Sequence, residues 1–211
     1  RLDVSAREIE RISKIVRDYL DSTRPLEPER QPTALPRLLD EVVEVVRGGA
    51  PDKRAQVTTR VEPEVGELIT DPGLLRQIIV NLVSNALDAV DKDGRVEVQA
   101  RAQGDDVLIT VRDTGHGIAA DDLRRIFEPF YTTKGRGKGT GLGLAICRQL
   151  TAALGGGISV ESAPGAGSTF AVRLPRSGPP MVAQPGGGEI RSRLRTDPGT
   201  GSGRAQSGGR A

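Results

Sequence analysis

Three short stretches of this chain place polar residues and glycines where they could do chemistry. The run NLVSNALDAV sets Asn81, Asn85 and Asp88 at spacings of four and three, on one face of a helix. Two amides and a carboxylate beside an apolar face are costly to bury unless something hydrogen-bonds to them. The spacing alone suits a ligand site or a solvated polar stripe. Asp113-Thr114-Gly115-His116-Gly117-Ile118 follows an alternating apolar segment. An Asp at a strand end, with glycines two and four residues later, lets backbone approach a flat ligand, and its carboxylate can accept from an exocyclic amine. A simple turn has the same pattern. Gly135 to Leu144 reads GRGKGTGLGL and opens a helix, which makes a ready anion site. It is not the phosphate loop G-x-x-x-x-G-K-[ST], because Gly139 follows Lys138. So glycine-rich a stretch predicts a mobile lid over a ligand.

These segments need elements to hold them. Ile9, Ile12, Val16, Tyr19 and Leu20 predict an amphipathic helix over residues 1–22, ended by Pro25 and Pro28. Its apolar stripe needs a partner helix, upstream or from another chain. A second helix fits Ala34–Arg47, and short strands fit Gln56–Val61 and Glu67–Thr70. Asp71 and Pro72 open a long helix, Asp71–Val90. Gly94–Ala102 and Asp106–Arg112 read as a hairpin turning at Gln103-Gly104. A helix over Leu142–Leu154 and strands over Ile158–Ser162 and Thr169–Leu174 complete the pattern. Without a βαβ rhythm, this predicts an α+β fold with helices on one face of a mainly antiparallel sheet. The domain organisation follows: helix 1–24, linker 25–33, core domain 34–175 and tail 176–211.

Composition bounds the possibilities. Of 211 residues, 36% are hydrophobic and only 2% aromatic, so the core must be aliphatic. One Cys and one His exclude a disulfide framework within one chain and a multi-His metal site. No apolar run approaches the ~18 residues of a membrane span. No signal peptide is legible, and the first residue is Arg, so the chain is expected to be a fragment or a processed product. From Arg176 onward, six arginines face two acids and nine of the 27 glycines occur, without apolar periodicity. That composition predicts a disordered, solvated basic tail rather than a nucleic-acid site.

Taken in order, the motifs resemble the ATP-binding domain of sensor histidine kinases, in the superfamily shared with gyrase, Hsp90 and MutL. NLVSNALDA resembles the N box, DTGHGI the G1 box, IFEPFYTTK (Ile126–Lys134) the F box, GTGLGL (Gly139–Leu144) the G2 box, and GAGSTF (Gly165–Phe170) the last glycine motif. The first helix is similar to the second helix of a dimerisation and phosphoacceptor domain, and the sub-type resembles nitrogen-regulation-like sensors. The resemblance implies a two-layer ATP-binding sandwich, with ATP and Mg²⁺ as cofactors. Asn85 would hold Mg²⁺ and Asn81 would sit near the phosphates. Asp113 would receive the adenine amine, with Gly115, Gly117 and Ile118 lining the base pocket and Thr169 backing it. Lys134 and the backbone of Gly139, Thr140, Gly141, Leu142, Gly143 and Leu144 would cover the triphosphate. Phe127 and Phe130 would anchor the lid. Many histidine kinases carry Lys where this chain has Asp88, which would instead order water near the metal or base. The implied partners are a response-regulator receiver domain and a second copy joined through the first helix. The implied location is cytoplasmic, with membrane anchoring of the full-length protein left open.

Hydrolysing members of the superfamily place a Glu general base four residues before the metal-binding Asn. Here that position is Asn81, which cannot take a proton at neutral pH. The reading is therefore a phosphotransferase whose acceptor is a neutral imidazole. The sole His, His116, sits in the G1 motif and reads as a bystander, so the acceptor His is expected upstream of Arg1. Cys147 reads as a small core residue.

Overall fold

The computed structural model of the chain describes residues 27–49, 55–135 and 139–178. The helix expected over residues 1–22 and most of the expected tail lie outside them.

The first described element is a short strand, β1 (Gln31–Thr33), inside the expected linker. Helix α1 (Leu35–Gly49) follows. Leu35, Leu38, Leu39, Val42, Val43 and Val46 recur at three and four, and all are buried. After β2 (Gln56–Val61) and a 3₁₀ turn (Pro63–Val65), the chain makes β3 (Leu68–Thr70), which pairs antiparallel with β1.

Helix α2 (Pro72–Ala89) is set by its cap. Asp71 Oδ1 accepts from the amides of Gly73 and Leu74 at 2.9 and 3.0 Å, and Pro72 takes the first turn. Asp71 Oδ2 also accepts from the Glu29 amide at 2.9 Å, which ties the segment before β1 to this helix end. One side of α2 (Leu75, Ile78, Ile79, Leu82, Val83, Ala86, Leu87) is buried.

Strands β4 (Arg95–Gln103), β5 (Asp106–Asp113), β6 (Gly157–Ser162) and β7 (Ser168–Pro175) join β2 in a five-stranded sheet, ordered β2-β4-β5-β7-β6. Three of its four pairings are antiparallel, and β2 pairs parallel with β4. A parallel neighbour needs a long crossover, and the stretch containing β3 and α2 supplies it. Val96, Val98 and Ala100, Val107, Ile109 and Val111, and Phe170, Val172 and Leu174 all point into the core. The residues between them are half-buried or exposed, so helices cover one face only. The β4–β5 loop is Gly104-Asp105, one residue later than the expected turn. Gly104 has φ 62 and Asp105 does not share it, as in a II′ hairpin.

Between β5 and the glycine-rich stretch the structure adds a short helix, α3 (Ala120–Leu123). Helix α4 (Gly143–Ala153) buries Ile146, Cys147 and Leu150 against α2. The Cys147 thiol donates to the Ile78 carbonyl across that contact at 3.7 Å. Order continues past the expected boundary at Pro175. The Arg176 amide donates to Asp105 O, its carbonyl accepts from the Ile69 amide at 2.9 Å, and its guanidinium donates to Glu64 O.

Asp71→Ala removes a cap and the tie to Glu29 together. It is expected to destabilise the domain by about 1–2 kcal/mol, read as a lower urea midpoint at unchanged slope.

Candidate functional site

Helix α2 shows its polar stripe to a cavity of about 560 Å³, which Gln77, Asn81, Ser84, Asn85 and Asp88 line along one wall. This volume lies within the range of small-molecule sites. Asp113 at the end of β5, Ser168 and Phe170 on β7, and Ile118 also line it. Tyr131, Thr132, Thr133, Lys134, Gly139, Thr140 and Gly141 form the rim. The α4 N-terminus closes one end, where a Cβ on Gly143 would lie 4.0 Å from Asn81 Cγ and Asn85 Nδ2. Free amides at a helix N-terminus favour an anion there.

Asp113 is 3% exposed. Its Oδ1 accepts from the Gly115 amide at 2.8 Å and the Ser168 amide at 3.3 Å. Burial nonetheless pushes its pKa above the ordinary carboxylate value, against the lowering effect of those two amides and of His116. A buried, ionised carboxylate is acceptor-only and suits a ligand N–H.

Lys134 reaches across from the rim. Its ammonium donates to Asn85 Oδ1 at 3.0 Å and Asp88 Oδ2 at 2.9 Å. Lys134 and Asp88 are both partly solvent-exposed, so the pair adds little to stability. It can therefore be exchanged for other charges at small expense.

The structure brings Asn81, Asn85, Asp88, Asp113, Ile118, Lys134, Gly139, Thr140, Gly141, Gly143 and Leu144 to this one cavity. Gly115 and Gly117 do not line it; they shape the loop behind Asp113. Leu142 turns into the core, 3% exposed, because its side chain starts the apolar face of α4. Thr169 is not in the lining either. Neighbours on a strand point to opposite faces, so Ser168 and Phe170 face the cavity and Thr169 faces away. The sequence held that signal: Phe170, Val172 and Leu174 are the apolar set of β7, and Ser168 shares their phase. Phe127 packs half-buried against the core, with the Arg148 guanidinium 5.9 Å from its ring. Phe130, expected as a second anchor, is 57% exposed at φ 66. Its amide donates to Gly141 O at 2.9 Å, so its backbone joins the two sides of the rim. Tyr131 takes the cavity position beside it. Its hydroxyl donates to Asp122 Oδ1, and the Arg125 guanidinium lies 4.3 Å from its ring centre.

His116 borders the cavity, with Nδ1 2.7 Å from Gly117 O and its amide donating to Ala89 O. Cys147 is fully buried, and desolvation pushes its thiol pKa up to about 12, so it stays a protonated core residue.

Residues 70–178 match the family of histidine kinase-, DNA gyrase B-, and HSP90-like ATPases. The sensor histidine kinase ZraS of Escherichia coli (strain K12) is 37% identical over 172 residues. The match covers 82% of this chain, which spans 37% of ZraS. Full-length ShkA in complex with AMPPNP superimposes with a TM-score of 0.74 at 32% identity, over 83% of this chain and 38% of ShkA. The catalytic domain of histidine kinase ThkA gives a TM-score of 0.63 at 28% identity, over 71% of this chain and 97% of that domain.

Because its folded-state pKa is raised, ionised Asp113 opposes folding at pH values above that pKa, and the penalty fades as pH falls through it. Asp113→Asn keeps an Oδ1 acceptor for both amides. It is expected to raise the thermal midpoint at neutral pH, with the gain shrinking toward acid pH in parallel melts.

Proposed function

The chain belongs to the family of histidine kinase-, DNA gyrase B- and HSP90-like ATPases, and from that premise we propose that it is the ATP-binding catalytic part of a sensor histidine kinase. The observation that carries this is the convergence on one cavity of the Asn81–Asn85–Asp88 stripe and the buried carboxylate of Asp113. The carboxylate accepts the exocyclic amine of adenine, and Ile118 packs against the base. Gly115 and Gly117 let the loop approach it. The α4 N-terminus, the backbone of residues 139–144 and Lys134 receive the triphosphate.

Oxygens that already hold an ammonium suit a hard cation. Asn85 Oδ1 would hold Mg²⁺, with Asp88 beside it through water. Among the described residues no cluster of three or more His, Cys, Asp or Glu could hold a metal by itself. That fits an ion bound chiefly by phosphate oxygens and one or two side chains. When bound, Mg²⁺ neutralises phosphate charge. Lys134, released from Asn85 and Asp88, adds a second positive charge on the phosphates.

The chain supplies no carboxylate at Asn81 to deprotonate water, so hydrolysis lacks its base. A neutral imidazole needs none. Its nitrogen lone pair attacks the γ-phosphorus, and the bond to the bridging oxygen breaks with its electrons leaving on ADP. The acceptor would be a His in the full-length protein, on a helix bundled with the one expected at residues 1–24. From there the phosphoryl group would pass to an Asp of a response-regulator receiver domain. Homodimerisation through that bundle and a cytoplasmic location for this ATP-using part complete the reading. Among the described residues no helix is long and apolar enough to cross a membrane.

Full-length protein incubated with γ-³²P-labelled ATP and Mg²⁺ is expected to carry acid-labile label on that His. Phosphate release without label would transfer the assignment to the hydrolases. Asn85→Ala should weaken Mg-ATP binding at least tenfold by calorimetry with the melting midpoint kept, and unchanged affinity defeats the site. Lys134→Met should weaken ATP about tenfold while leaving adenosine affinity unchanged, because the lysine meets phosphates and not the base.

A further inference from the structure

The carboxylate of Asp113 is aimed by two amides from different parts of the chain, Gly115 in the loop after β5 and Ser168 at the start of β7. Its direction therefore depends on how the loop of residues 114–118 is held against the β6–β7 turn of residues 163–167. The two touch closely. The Gly165 amide donates to His116 O at 2.8 Å. A Cβ on Gly117 would overlap the carbonyl of Ala163, and one on Gly167 would overlap the carbonyl of Asp113. Both glycines have positive φ, at 69 and 77, so neither position suits a side chain.

One side chain joins these segments. Ser162, the last residue of β6, accepts from the Ile118 amide at 2.9 Å and donates to Gly167 O at 2.7 Å. Its oxygen also lies 3.0 Å from Ser168 Oγ. The accounting uses the whole hydroxyl. The proton goes to Gly167, one lone pair takes the Ile118 N–H, and the other faces Ser168. That leaves the Ser168 proton for Ser162 or for the Asp113 carboxylate. Ser162 itself does not line the cavity.

We propose that Ser162 is a positioning residue for base selection: by fastening the loop after β5 to the β6–β7 turn, it fixes the direction of the Asp113 carboxylate and so sets the preference for adenine over guanine nucleotides. The proposal rests on the nucleotide reading above. A fixed carboxylate accepts the amine of adenine and leaves the corresponding carbonyl of guanine facing an acceptor without a proton. Without the Ser162 hydroxyl, Ile118 N–H and Gly167 O lose their shared partner. The carboxylate gains freedom to turn, the adenine contact weakens, and the mismatch with guanine relaxes. The phosphate end of the cavity is built from α2, α4 and the rim and does not depend on Ser162.

The test measures affinities of the 211-residue chain and two variants for ATP, GTP and inorganic tripolyphosphate, all with Mg²⁺, beside melting midpoints. Ser162→Ala is expected to lower the ATP-to-GTP affinity ratio about tenfold with tripolyphosphate affinity unchanged. Ser162→Thr, which keeps a hydroxyl and suits a strand, should retain the wild-type ratio and serves as the folded control. An unchanged ratio in Ser162→Ala overturns the proposal. So does an equal loss of ATP, GTP and tripolyphosphate affinity, which marks general loosening. A wild-type chain with no preference for ATP over GTP defeats the adenine assignment of Asp113 first, and Ser162's role with it.

Discussion

A carboxylate with 3% exposure is the constraint around which one side of this domain is built. Its charge opposes folding, and the two backbone amides turned toward it, both on the same oxygen, offset only part of that cost. Satisfying them forces β5, its following loop and the start of β7 into one arrangement. That arrangement brings backbone to backbone at Gly117 and Gly167, where no side chain fits. The glycines of this region follow from the geometry the carboxylate imposes.

The wall formed by α2 meets a different demand. Helix α2 must bury one side among aliphatic residues and keep two amides and a carboxylate on the other. The core is almost wholly Leu, Ile and Val, with Phe170 the one buried aromatic among the described residues. Such a core grips the helix along its length and fixes which face turns to the cavity. The polar face is then completed by a cation from the rim, Lys134, rather than from the helix itself. Asp88 gives that cation a counter-charge near solvent, where ion pairs form and part at small expense. The Asp113 end of the cavity is thus buried and tied by backbone amides, and the Lys134 end is held by exchangeable charge.

The ends of the domain show why local pattern falls short. Gln31–Thr33 is too short and too polar to announce a strand, and it becomes one because β3 lies beside it and Asp71 holds the chain at Glu29. Arg176 belongs by composition to the tail, yet its backbone joins Asp105 and Ile69. The parallel edge of β2 was equally hidden. Alternation marks a strand but carries no sign of its neighbour's direction.

Periodicity and motif order were enough to place the polar stripe of α2, the hairpin of β4 and β5, the carboxylate at the end of β5 and the glycine-rich segment before α4. Motif order also carried the resemblance to the family that the chain matches. Each of these depends on residues within a few positions of one another, and local spacing determines which face a side chain takes. What it does not determine is which distant groups meet. Lys134 reaches Asn85 and Asp88 across 49 and 46 residues, and Ser162 binds Ile118 across 44. The exchange of Thr169 for Ser168 and the exposure of Phe130 are decisions of the same kind. They depend on sheet register and on how the rim closes, and these exist only once the aliphatic core has brought remote segments together.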